Sequence, residues 1–575
     1  MNVKKDLSIM RIKTMLVLGG ILVLWGALVW RLYGLQVQDS RDLIEKAERQ
    51  YNSLRKVAPR RGRILDKNNN TFAVSLKVKS LYCVPFEIDN LWGVADKLSK
   101  VLRISKNTLI TKLTRKSKFS WIKRKISDEE VLEIRSLKLN GIYMRDEVKR
   151  FYPKGHLLSH VLGFVNIDNE GLEGIERSQN NNLKGNFGLV NIMKDAKGRE
   201  IVANRRVVEK PVDGLDVVLT IDEVVQNITE DELDILCANF SPKNVTAIVM
   251  DVRNGNILAM SNRPTFNLNQ ANKAPLAFRK NVAVVNAYEP GSLFKVISAA
   301  AAINEGVVRM NESIYCEHGA YRVGGNTLHD SHPFDNLTFK EVIAKSSNIG
   351  FSKVMSRLDS KTFYNYIKQF GFGTRLGVSL AGERRGLVWN YKKWSGYSKS
   401  AISMGHEIMV TPLQMSCAIS TIANGGRFIY PRIIEKIQTN DKRVIKDYPV
   451  KYGKNIIKKQ TAKKLTSALE SVVSKEGTAE EAFIDGINVA GKTGTAQKII
   501  DGKYSHSKYV SSFYGFLPSR NPLISITIMV DEPHGKLYGG TVAAPSFAVM
   551  GERIIDYMMP RSLASIVSKG EEDVA

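Results

Sequence analysis

The sequence predicts an α+β protein that is anchored to a membrane and divided into several domains. With 575 residues, the chain is too long to fold around one compact core. A run of 17 uncharged residues near the N-terminus is long enough, with modest help from its flanks, to cross a bilayer. Beyond residue 245, a pair of strand-like runs precedes several helical segments and a further strand, an order typical of helices packed on one central sheet.

The predicted membrane anchor covers residues 14–35. Trp25, Trp30 and Tyr33 lie near its far end, where aromatic side chains favour the membrane–water interface. A cleaved signal peptide is the alternative, but no small-x-small cleavage site follows, and the run is long for the apolar part of a signal. Basic residues flank both ends of the span, so counting positive charges does not decide the topology.

Composition sets further limits on function. The formal net charge of +27 would attract polyanions, but the basic residues are spread over most of the chain. A basic surface near anionic lipid headgroups is therefore favoured over a nucleic-acid site. The cysteines form no C-x-x-C pair and indicate neither a zinc ribbon nor a disulfide framework. We expect each to be a small buried apolar residue: Cys83, Cys237, Cys316 and Cys417.

The first 225 residues combine helical and strand-like segments. Residues 41–54 resemble a helical stem, residues 61–70 predict a strand, a turn and a second strand, and the Lys-rich residues 97–138 look largely helical. A short strand over residues 217–222 ends at Asp222, which is suited to cap the helix that follows. We place a domain boundary near residue 225.

The region after this boundary contains the signals of a central sheet. Residues 247–251 and 257–260 are apolar runs on either side of Asn254-Gly255, which predicts a hairpin. Residues 524–530 form another apolar run, typical of a buried strand. Several helical segments lie between the hairpin and this last strand.

A candidate nucleophile lies at the start of a buried helix. Residues 288–291 predict a turn, and Ser292 and Lys295 follow it at the head of an Ala-rich segment that Gly306 ends. Because they are three residues apart, Ser292 and Lys295 share one helical face. A serine hydroxyl needs an adjacent base, and a lysine can serve where burial or neighbouring cations lower its pKa.

The S-x-x-K spacing alone is a weak signal, because the chain contains it four times. Only Ser292 and Lys295 occupy the first turn of an apolar helix. The other three matches are Ser53/Lys56, Ser120/Lys123 and Ser505/Lys508.

Two later segments carry side chains suited to the same chemistry. Thr338 and Glu341 form a capping-box pattern for a short helix, which Ser346-Ser347-Asn348 interrupts. An interruption by such polar residues suggests a loop that turns side chains into a cleft. The alternative is an ordinary connection between two helices. The other segment is Lys492-Thr493-Gly494-Thr495, which resembles a strand edge beside the nucleophile.

This last segment also satisfies a different pattern. Residues 486–493 match the phosphate-binding loop literally, and residues 526–532 resemble the strand and acidic partner of an NTPase. A membrane-tethered ATPase is therefore a rival from another class. A phosphate-binding loop follows a strand and opens a helix. Residues 487–490 themselves look like a strand, and the residues after Thr495 predict a hairpin, so the ATPase is disfavoured.

Ser-x-x-Lys, Ser-x-Asn and Lys-Thr-Gly, in this order, are the signature of penicillin-binding proteins and class A β-lactamases. From the anchor to about residue 550, the chain closely resembles the class B penicillin-binding proteins, which are peptidoglycan D,D-transpeptidases. The strings at residues 288–292, 344–350 and 171–176 look most like the division-type (FtsI-like) branch, with the elongation-type branch as the close alternative. Other matching strings are residues 61–64, 219–222, 410–414 and 531–533.

The resemblance implies a penicillin-binding transpeptidase domain with the serine β-lactamase-like fold, in which helices pack on a central antiparallel sheet. It also implies a single-pass protein of the bacterial cytoplasmic membrane, with this domain outside the cytoplasm at the division septum. A membrane glycosyltransferase and other division proteins are the expected partners. The expected divisions are a cytoplasmic tail (1–13), the anchor (14–35), a pedestal or dimerisation-type domain (36–225), the transpeptidase domain (226–560) and a C-terminal tail (561–575).

The same resemblance implies the reaction. Ser292 would attack the penultimate D-Ala carbonyl of a donor stem peptide, with Lys295 taking the proton. The backbone N–H groups of Ser292 and Thr495 would hold the oxyanion. Ser346 would relay a proton to the departing D-Ala, and Asn348 would hold the peptide amide.

Substrate recognition and turnover are also implied. Lys492, Thr493 and Thr495, with Gly494 between them, would bind the terminal carboxylate, and Lys492 would also belong to the catalytic set. An amine of a neighbouring stem peptide would resolve the acyl-enzyme, whereas a β-lactam would mimic the donor and stall there. Neither a metal nor an organic cofactor is expected.

Two residues depart from the family's pattern, and other activities share the motifs. Leu293 stands where Thr is usual and is expected to point off the reacting face. Asn69 stands where a turn usually has Gly, and Asn tolerates the left-handed conformation best after Gly. A D,D-carboxypeptidase would use the same motifs, as would a β-lactamase or a β-lactam sensor, although the pedestal argues against the last two. The His-Asp-Ser-His residues 329–332 could suggest a metal, but one short loop rarely supplies a whole site, so a plain loop is predicted.

Overall fold

A computed structural model describes residues 3–194 and 200–559 of the protein. The predicted C-terminal tail, residues 561–575, lies outside the described residues, as do Met1 and Asn2 of the predicted cytoplasmic tail. The chain forms two compact units, which are Met1–Pro59 with Asn186–Asp213, and Arg60–Gly185 with Gly214–Ala575.

The chain before residue 214 contains the long helix α1 together with shorter helices and strands. The helices are α1 (Val3–Tyr33), α2 (Ser40–Tyr51), α3 (Leu91–Leu102), α4 (Lys106–Leu113), α5 (Asp128–Ser136), α6 (Ser159–Leu162), α7 (Gly174–Ser178) and α8 (Asn180–Leu183). The strands are β1 (Asn52–Val57), β2 (Ile64–Leu65), β3 (Thr71–Cys83), β4 (Ser120–Ile126), β5 (Ile142–Phe151), β6 (Gly188–Lys194) and β7 (Glu200–Glu209).

Further helices and strands follow residue 214. The helices are α9 (Glu223–Phe240), α10 (Val282–Val285), α11 (Lys295–Asn304), α12 (Phe339–Ala344), α13 (Asn348–Ser356), α14 (Ser360–Gln369), α15 (Ser398–Ser403), α16 (Pro412–Ala423), α17 (Lys459–Glu470), α18 (Gly539–Val542) and α19 (Ala544–Met558). The strands are β8 (Asp216–Leu219), β9 (Asn244–Asp251), β10 (Ile257–Arg263), β11 (Ser313–Tyr315), β12 (Ala320–Val323), β13 (Asn326–His329), β14 (Asn336–Thr338), β15 (Arg427–Ile429), β16 (Ile434–Gln438), β17 (Val444–Asp447), β18 (Tyr452–Asn455), β19 (Ala490–Ile500), β20 (Lys503–Leu517) and β21 (Ile524–Asp531).

The smaller unit contains a helix that is long and apolar enough to cross a membrane. α1 continues through a wider turn over Gly34–Gln38, and the candidate span is Lys5–Gln38, whose side chains are largely exposed. The anchor predicted at residues 14–35 lies inside it. The same unit holds an antiparallel sheet in the order β1-β6-β7. The expected helical stem therefore ends early, at Tyr51, because the next residues pair with β6.

In the larger unit, residues 60–185 share a sheet with strands from further along the chain. Its order is β17-β16-β8-β2-β3-β4, with β5 also pairing with β3, and β2 runs parallel to β8. The strand, turn and strand predicted at residues 61–70 are confirmed, and Asn69 has the left-handed φ of +67° expected there. The prediction that residues 97–138 are largely helical is wrong in part, because β4 crosses this segment and turns Ile122 inwards.

The sheet beyond residue 240 is antiparallel throughout, in the order β10-β9-β21-β20-β19. The hairpin predicted at Asn254-Gly255 joins β9 to β10, and every residue of β21 is buried, as predicted for residues 524–530. Asp222 caps α9 by accepting the N–H groups of Val224 and Val225, which confirms that prediction as well.

Helices cover both faces of this sheet. Ser420 of α16 contacts Ser525 of β21, and Phe547 of α19 packs against Phe513 of β20. Ser525 pairs with Phe516, and paired residues point to the same face of a sheet. Phe513 is three residues from Phe516 on the same strand, so it points to the other face. The two helices therefore lie on opposite faces. A central antiparallel sheet between helices is the predicted α+β fold, which is confirmed.

Candidate active site

The chain around Ser292 forms a tight turn that opens into a buried helix. Residues Gly291–Phe294 make one 3₁₀ turn, and α11 continues from it with every residue from Lys295 to Ile303 buried. Gly306, with φ +71°, lies just past its end, as predicted. The three other S-x-x-K matches lie on β1, β4 and β20, so only Ser292 and Lys295 share a helical face.

The backbone before Ser292 is packed against a second loop. Gly291 has φ +54° and donates its N–H to the carbonyl oxygen of Gly405 at 3.2 Å. A Cβ atom on Gly405 would lie 2.1 Å from the Gly291 carbonyl oxygen, so only glycine fits there. The contact with Gly405 therefore holds the turn in place, while Ser292 remains partly exposed.

Lys295 is 1% exposed, and its hydrogen-bond partners are neutral. Its Nζ lies 2.6 Å from the Ser346 carbonyl oxygen, 3.2 Å from Ser346 Oγ and 2.7 Å from Asn348 Oδ1. Burial lowers the pKa of Lys295 well below its ordinary value; the charge of Lys492 lowers it further, and Asp330 opposes the shift. This environment favours the neutral amine, which can accept a proton.

The Ser-x-Asn segment is the break between α12 and α13. Ser346 has φ +58°, and Ser347 caps α13 by accepting the N–H of Gly350. The capping box predicted at Thr338 is confirmed at the start of α12. Because the chain turns at Ser346, the Ser346 hydroxyl and the Asn348 amide oxygen both reach Lys295. The structure thus brings together Lys295, Ser346 and Asn348, as the sequence predicts.

Asp330 holds this loop in place. Its Oδ2 accepts a hydrogen bond from Ser347 Oγ at 2.6 Å, and its Oδ1 accepts the N–H groups of Asn348 and Ile349. The dipole of α13 favours a carboxylate at this end. The carbonyl oxygen of His329 accepts from Asn348 Nδ2 at 2.7 Å. Residues 329–332 thus support the Ser-x-Asn loop, a role that local patterns do not reveal because 18 residues separate Asp330 from Asn348.

The Lys-Thr-Gly-Thr segment lies on β19, in contact with the nucleophile turn. A Cβ atom on Gly494 would lie 2.7 Å from Leu293 Cγ and 3.3 Å from the Pro290 carbonyl oxygen. Leu293 is 1% exposed, so it fills the space between turn and strand. Thr493 Oγ1 lies 2.9 Å from Thr478 Oγ1. The hydroxyl of Thr495 accepts the N–H of Gly539 at 3.1 Å.

Lys492 is completely buried, at 0% exposure. Its Nζ donates to the carbonyl oxygen of Thr493 at 3.2 Å and to Thr493 Oγ1 at 3.4 Å. Burial lowers the pKa of Lys492 to about 7. In the described chain no hydrogen bond joins Lys492 to Ser346. Lys492 of the third motif acts instead on Lys295 of the first motif, through its charge.

The geometry of residues 486–500 does not fit a phosphate-binding loop. The prediction of a strand over residues 487–490 is wrong except at Ala490, because Gly486 is in a turn with φ +73° and Ile487 pairs only with Ile484. The strand β19 then follows where a phosphate-binding loop would open a helix. Its backbone N–H groups are arranged along a ladder with β20 and do not converge on a ligand.

Comparison with known proteins identifies the family. Residues 245–551 match the penicillin binding protein transpeptidase domain, and residues 56–219 match the penicillin-binding protein dimerisation domain. The first match alone covers more than half of the chain. The chain belongs to the class B penicillin-binding proteins. The resemblance inferred from the sequence is therefore confirmed, and so is the fold that it implies.

Named relatives of this class B penicillin-binding protein cover most of its length. It is 32% identical to the peptidoglycan D,D-transpeptidase FtsI of Escherichia coli (strain K12), over 93% of this chain and 90% of that one. It is 38% identical to the stage V sporulation protein D of Bacillus subtilis, over 85% of this chain and 76% of that one. Penicillin binding protein 3 of Mycobacterium tuberculosis superposes with a TM-score of 0.69 and 27% identity, over 88% of this chain and 97% of that one.

Proposed function

We propose that this class B penicillin-binding protein is a peptidoglycan D,D-transpeptidase in which Ser292 is the nucleophile and Lys295 the base. The observation that carries the proposal is the setting of Lys295, which is buried one helical turn from Ser292 and bonded to Ser346 and Asn348 without a carboxylate. A buried lysine whose described hydrogen-bond partners are all neutral is suited to take the serine proton.

The acylation step uses these atoms in order. Ser292 Oγ attacks the penultimate D-Ala carbonyl of a donor stem peptide and gives its proton to Lys295 Nζ. The negative oxygen is held by the N–H groups of Ser292 and Thr495. When the C–N bond breaks, Ser346 protonates the leaving D-Ala amine and recovers a proton from Lys295, whose Nζ is 3.2 Å from Ser346 Oγ. Asn348 holds the peptide amide.

The second half of the reaction forms the cross-link. An amine of a neighbouring stem peptide attacks the Ser292 ester, loses a proton to the Lys295 and Ser346 pair, and releases Ser292 as a free hydroxyl. Lys492, Thr493 and Thr495 recognise the donor carboxylate beside Gly494, where the strand lies close enough to exclude any side chain. A β-lactam acylates Ser292 in place of the donor and stalls there.

We also propose a location for this reaction. Residues 14–35, which lie within the apolar helix Lys5–Gln38, anchor the chain in the cytoplasmic membrane. Residues 1–13 lie inside the cell, and the pedestal (36–225) and the transpeptidase domain (226–560) lie outside. The similarity to FtsI favours a septal role alongside a membrane glycosyltransferase and other division proteins, with an elongation role as the alternative. The similarity to a sporulation protein is a reason to test the stage of growth as well.

Labelling with a fluorescent penicillin tests the nucleophile. We expect the full-length wild type to become labelled and the Ser292→Ala variant to stay unlabelled at equal loading. A Ser292→Ala variant that still acylates, or a wild type that never does, would refute the proposal. ATP binding by the purified protein would instead support the ATPase.

A second assay separates transpeptidation from hydrolysis. Lipid-linked polymer with D-Ala-D-Ala stem peptides is incubated with the enzyme, and the products are separated by mass. Cross-linked dimers are expected. Release of D-Ala without dimers, even when an acceptor amine is added, would identify a D,D-carboxypeptidase.

A further inference from the structure

A buried carboxylate lies three residues before Ser292 and takes no part in the proposed chemistry. Glu289 is 9% exposed. Its Oε1 accepts the backbone N–H of Glu407 at 2.9 Å, and its Oε2 is 3.1 Å from His406 Nδ1. The hydroxyl of Tyr504 donates to Glu289 Oε2 at 3.1 Å, and the Tyr504 and His406 rings meet edge to face at 5.6 Å. Glu289 therefore joins three segments that are far apart in the sequence.

Two of these segments frame the nucleophile. Glu289 begins the turn that presents Ser292, and His406 follows Gly405, whose carbonyl oxygen accepts the N–H of Gly291. Burial raises the pKa of the Tyr504 hydroxyl, and the neighbouring Glu289 raises it further, so Tyr504 remains a hydrogen-bond donor. The contact thus joins a hydroxyl donor to a carboxyl oxygen.

The third segment is the tip of the β19–β20 hairpin. Tyr504 pairs with Ile499 beside the Asp501-Gly502 turn. Ile499 is four residues beyond Thr495 on β19, which is about 13 Å along a strand. Lys498, the neighbour of Ile499, pairs with Asp531 and Glu532, which attaches this end of the hairpin on the side of the sheet. Glu289 attaches it on the nucleophile side, through Tyr504.

We propose that Glu289, His406 and Tyr504 form a latch that holds the hairpin tip against the nucleophile turn. The latch fixes the spacing between the N–H groups of Ser292 and Thr495, which lie on the turn and on β19. Its members are positioning residues, because they act through the oxyanion site and do not touch the reacting atoms. This inference rests on the proposed function, since it concerns the geometry of the same acylation.

The latch should affect the rate of acylation and not the binding that precedes it. The oxyanion exists only after Ser292 attacks, so a change in its spacing alters the acylation rate constant and leaves the preceding non-covalent binding unchanged. Loss of one hydrogen bond to a charged acceptor corresponds to roughly a tenfold change. Glu289 keeps two donors when Tyr504 loses its hydroxyl, so the protein should still fold.

The test compares Tyr504→Phe with Tyr509→Phe in the full-length protein in detergent. Tyr509 lies on the same strand, and its hydroxyl donates to the His506 carbonyl oxygen and does not contact Glu289. Stopped-flow acylation by a fluorescent penicillin gives the binding constant and the rate constant separately. We expect Tyr504→Phe to lower the rate constant by roughly tenfold with binding within about twofold, and Tyr509→Phe to match the wild type. Glu289→Gln should lower the rate constant in the same direction.

The other outcomes are distinguishable. Tyr504→Phe could acylate with the same rate constant as the wild type, even at a lower melting temperature. The Tyr504–Glu289 contact would then serve stability alone, which would overturn the latch. Weaker binding with an unchanged rate constant would mean that Tyr504 touches the ligand, which overturns the proposal too. If the wild type itself is never acylated, the proposed function fails, and the latch with it.

Discussion

Two regions of the larger unit bury cations in opposite chemical settings. In the pedestal, Arg61 and Arg150 each lie 2.6 Å from a carboxylate oxygen of Glu176, and all three side chains are at most 1% exposed. At the active site, Lys295 and Lys492 are equally buried, but their partners are carbonyl, hydroxyl and amide oxygens.

The difference shows what a buried charge can be used for. A guanidinium paired with a carboxylate keeps its proton, and the cluster depends on every member because a single unpaired charge is costly. A buried ammonium without a carboxylate tends to lose its proton instead. The pedestal arrangement therefore supports the structure, whereas the arrangement around Lys295 favours the base that we propose, at some cost to stability.

Lys295→Met should show this contrast most strongly. We expect the acylation rate constant to fall by about 10²–10⁴-fold, because the general base is lost. The free energy of unfolding should stay equal or rise, because an apolar side chain replaces a buried amine. Stopped-flow labelling and urea unfolding measure the two quantities. Lys463→Met, at an exposed position of α17, is the control and should change neither. Marked destabilisation by Lys295→Met would contradict the contrast.

Glu176→Gln should lower stability and leave the acylation rate constant unchanged. We expect it to cost about 3–5 kcal/mol of unfolding free energy, because Arg61 and Arg150 keep their charges without a carboxylate. The fraction that remains folded should be acylated at the wild-type rate. Urea unfolding and labelling on the same samples check both points, with the exposed Glu129→Gln as control. Unchanged stability would mean that the pedestal cluster does not depend on the charge of Glu176.

Asp330→Asn should have an intermediate effect, since this carboxylate supports the Ser-x-Asn loop and also acts on Lys295. We expect acylation to slow by roughly tenfold and stability to fall by about 1–2 kcal/mol. Because Asp330 raises the pKa of Lys295, its loss should move the acid limb of the acylation pH profile to lower pH. Asp335→Asn removes an equal charge from an exposed position of the same loop and should leave the profile unchanged. A shift of the acid limb to higher pH would contradict the expected influence of Asp330 on the pKa of Lys295.

Lys492 should affect the pH dependence of stability. Burial lowers the pKa of Lys492 to about 7 in the folded protein, below its ordinary value of 10.5 in the unfolded chain. Between these values the unfolded chain binds the extra proton, so this residue makes stability rise with pH from about 7 to 10.5. Lys492→Met should flatten that part of the curve, measured by urea unfolding at several pH values. If stability depends on pH in the same way in the wild type and in Lys492→Met, the lowered pKa of Lys492 is excluded.

The sequence predicted the fold class, the antiparallel hairpin at Asn254-Gly255 and the helix behind Ser292, because each depends on local periodicity and turn chemistry. Local patterns failed where tertiary pairing overrides them. The Lys-rich segment at residues 97–138 contains β4 because the inward Ile122 completes a sheet with β3. Residues 487–489 follow a turn at Asp485 and Gly486 and remain outside the strand, because β19 begins only at Ala490.

The order of Ser292, Ser346 and Lys492 in the sequence was sufficient to indicate a family and its chemistry, because each motif is short and local. Only the tertiary structure decided which partners surround them. Asp330 reaches the Ser-x-Asn loop, and Tyr504 reaches the carboxylate before Ser292, across separations of 18 and 215 residues. No local pattern encodes such contacts, because they arise when strands and helices pack and bury side chains together. The neutral hydrogen-bond partners of Lys295 among the described residues have the same origin, and they favour the proposed role of this lysine as the base.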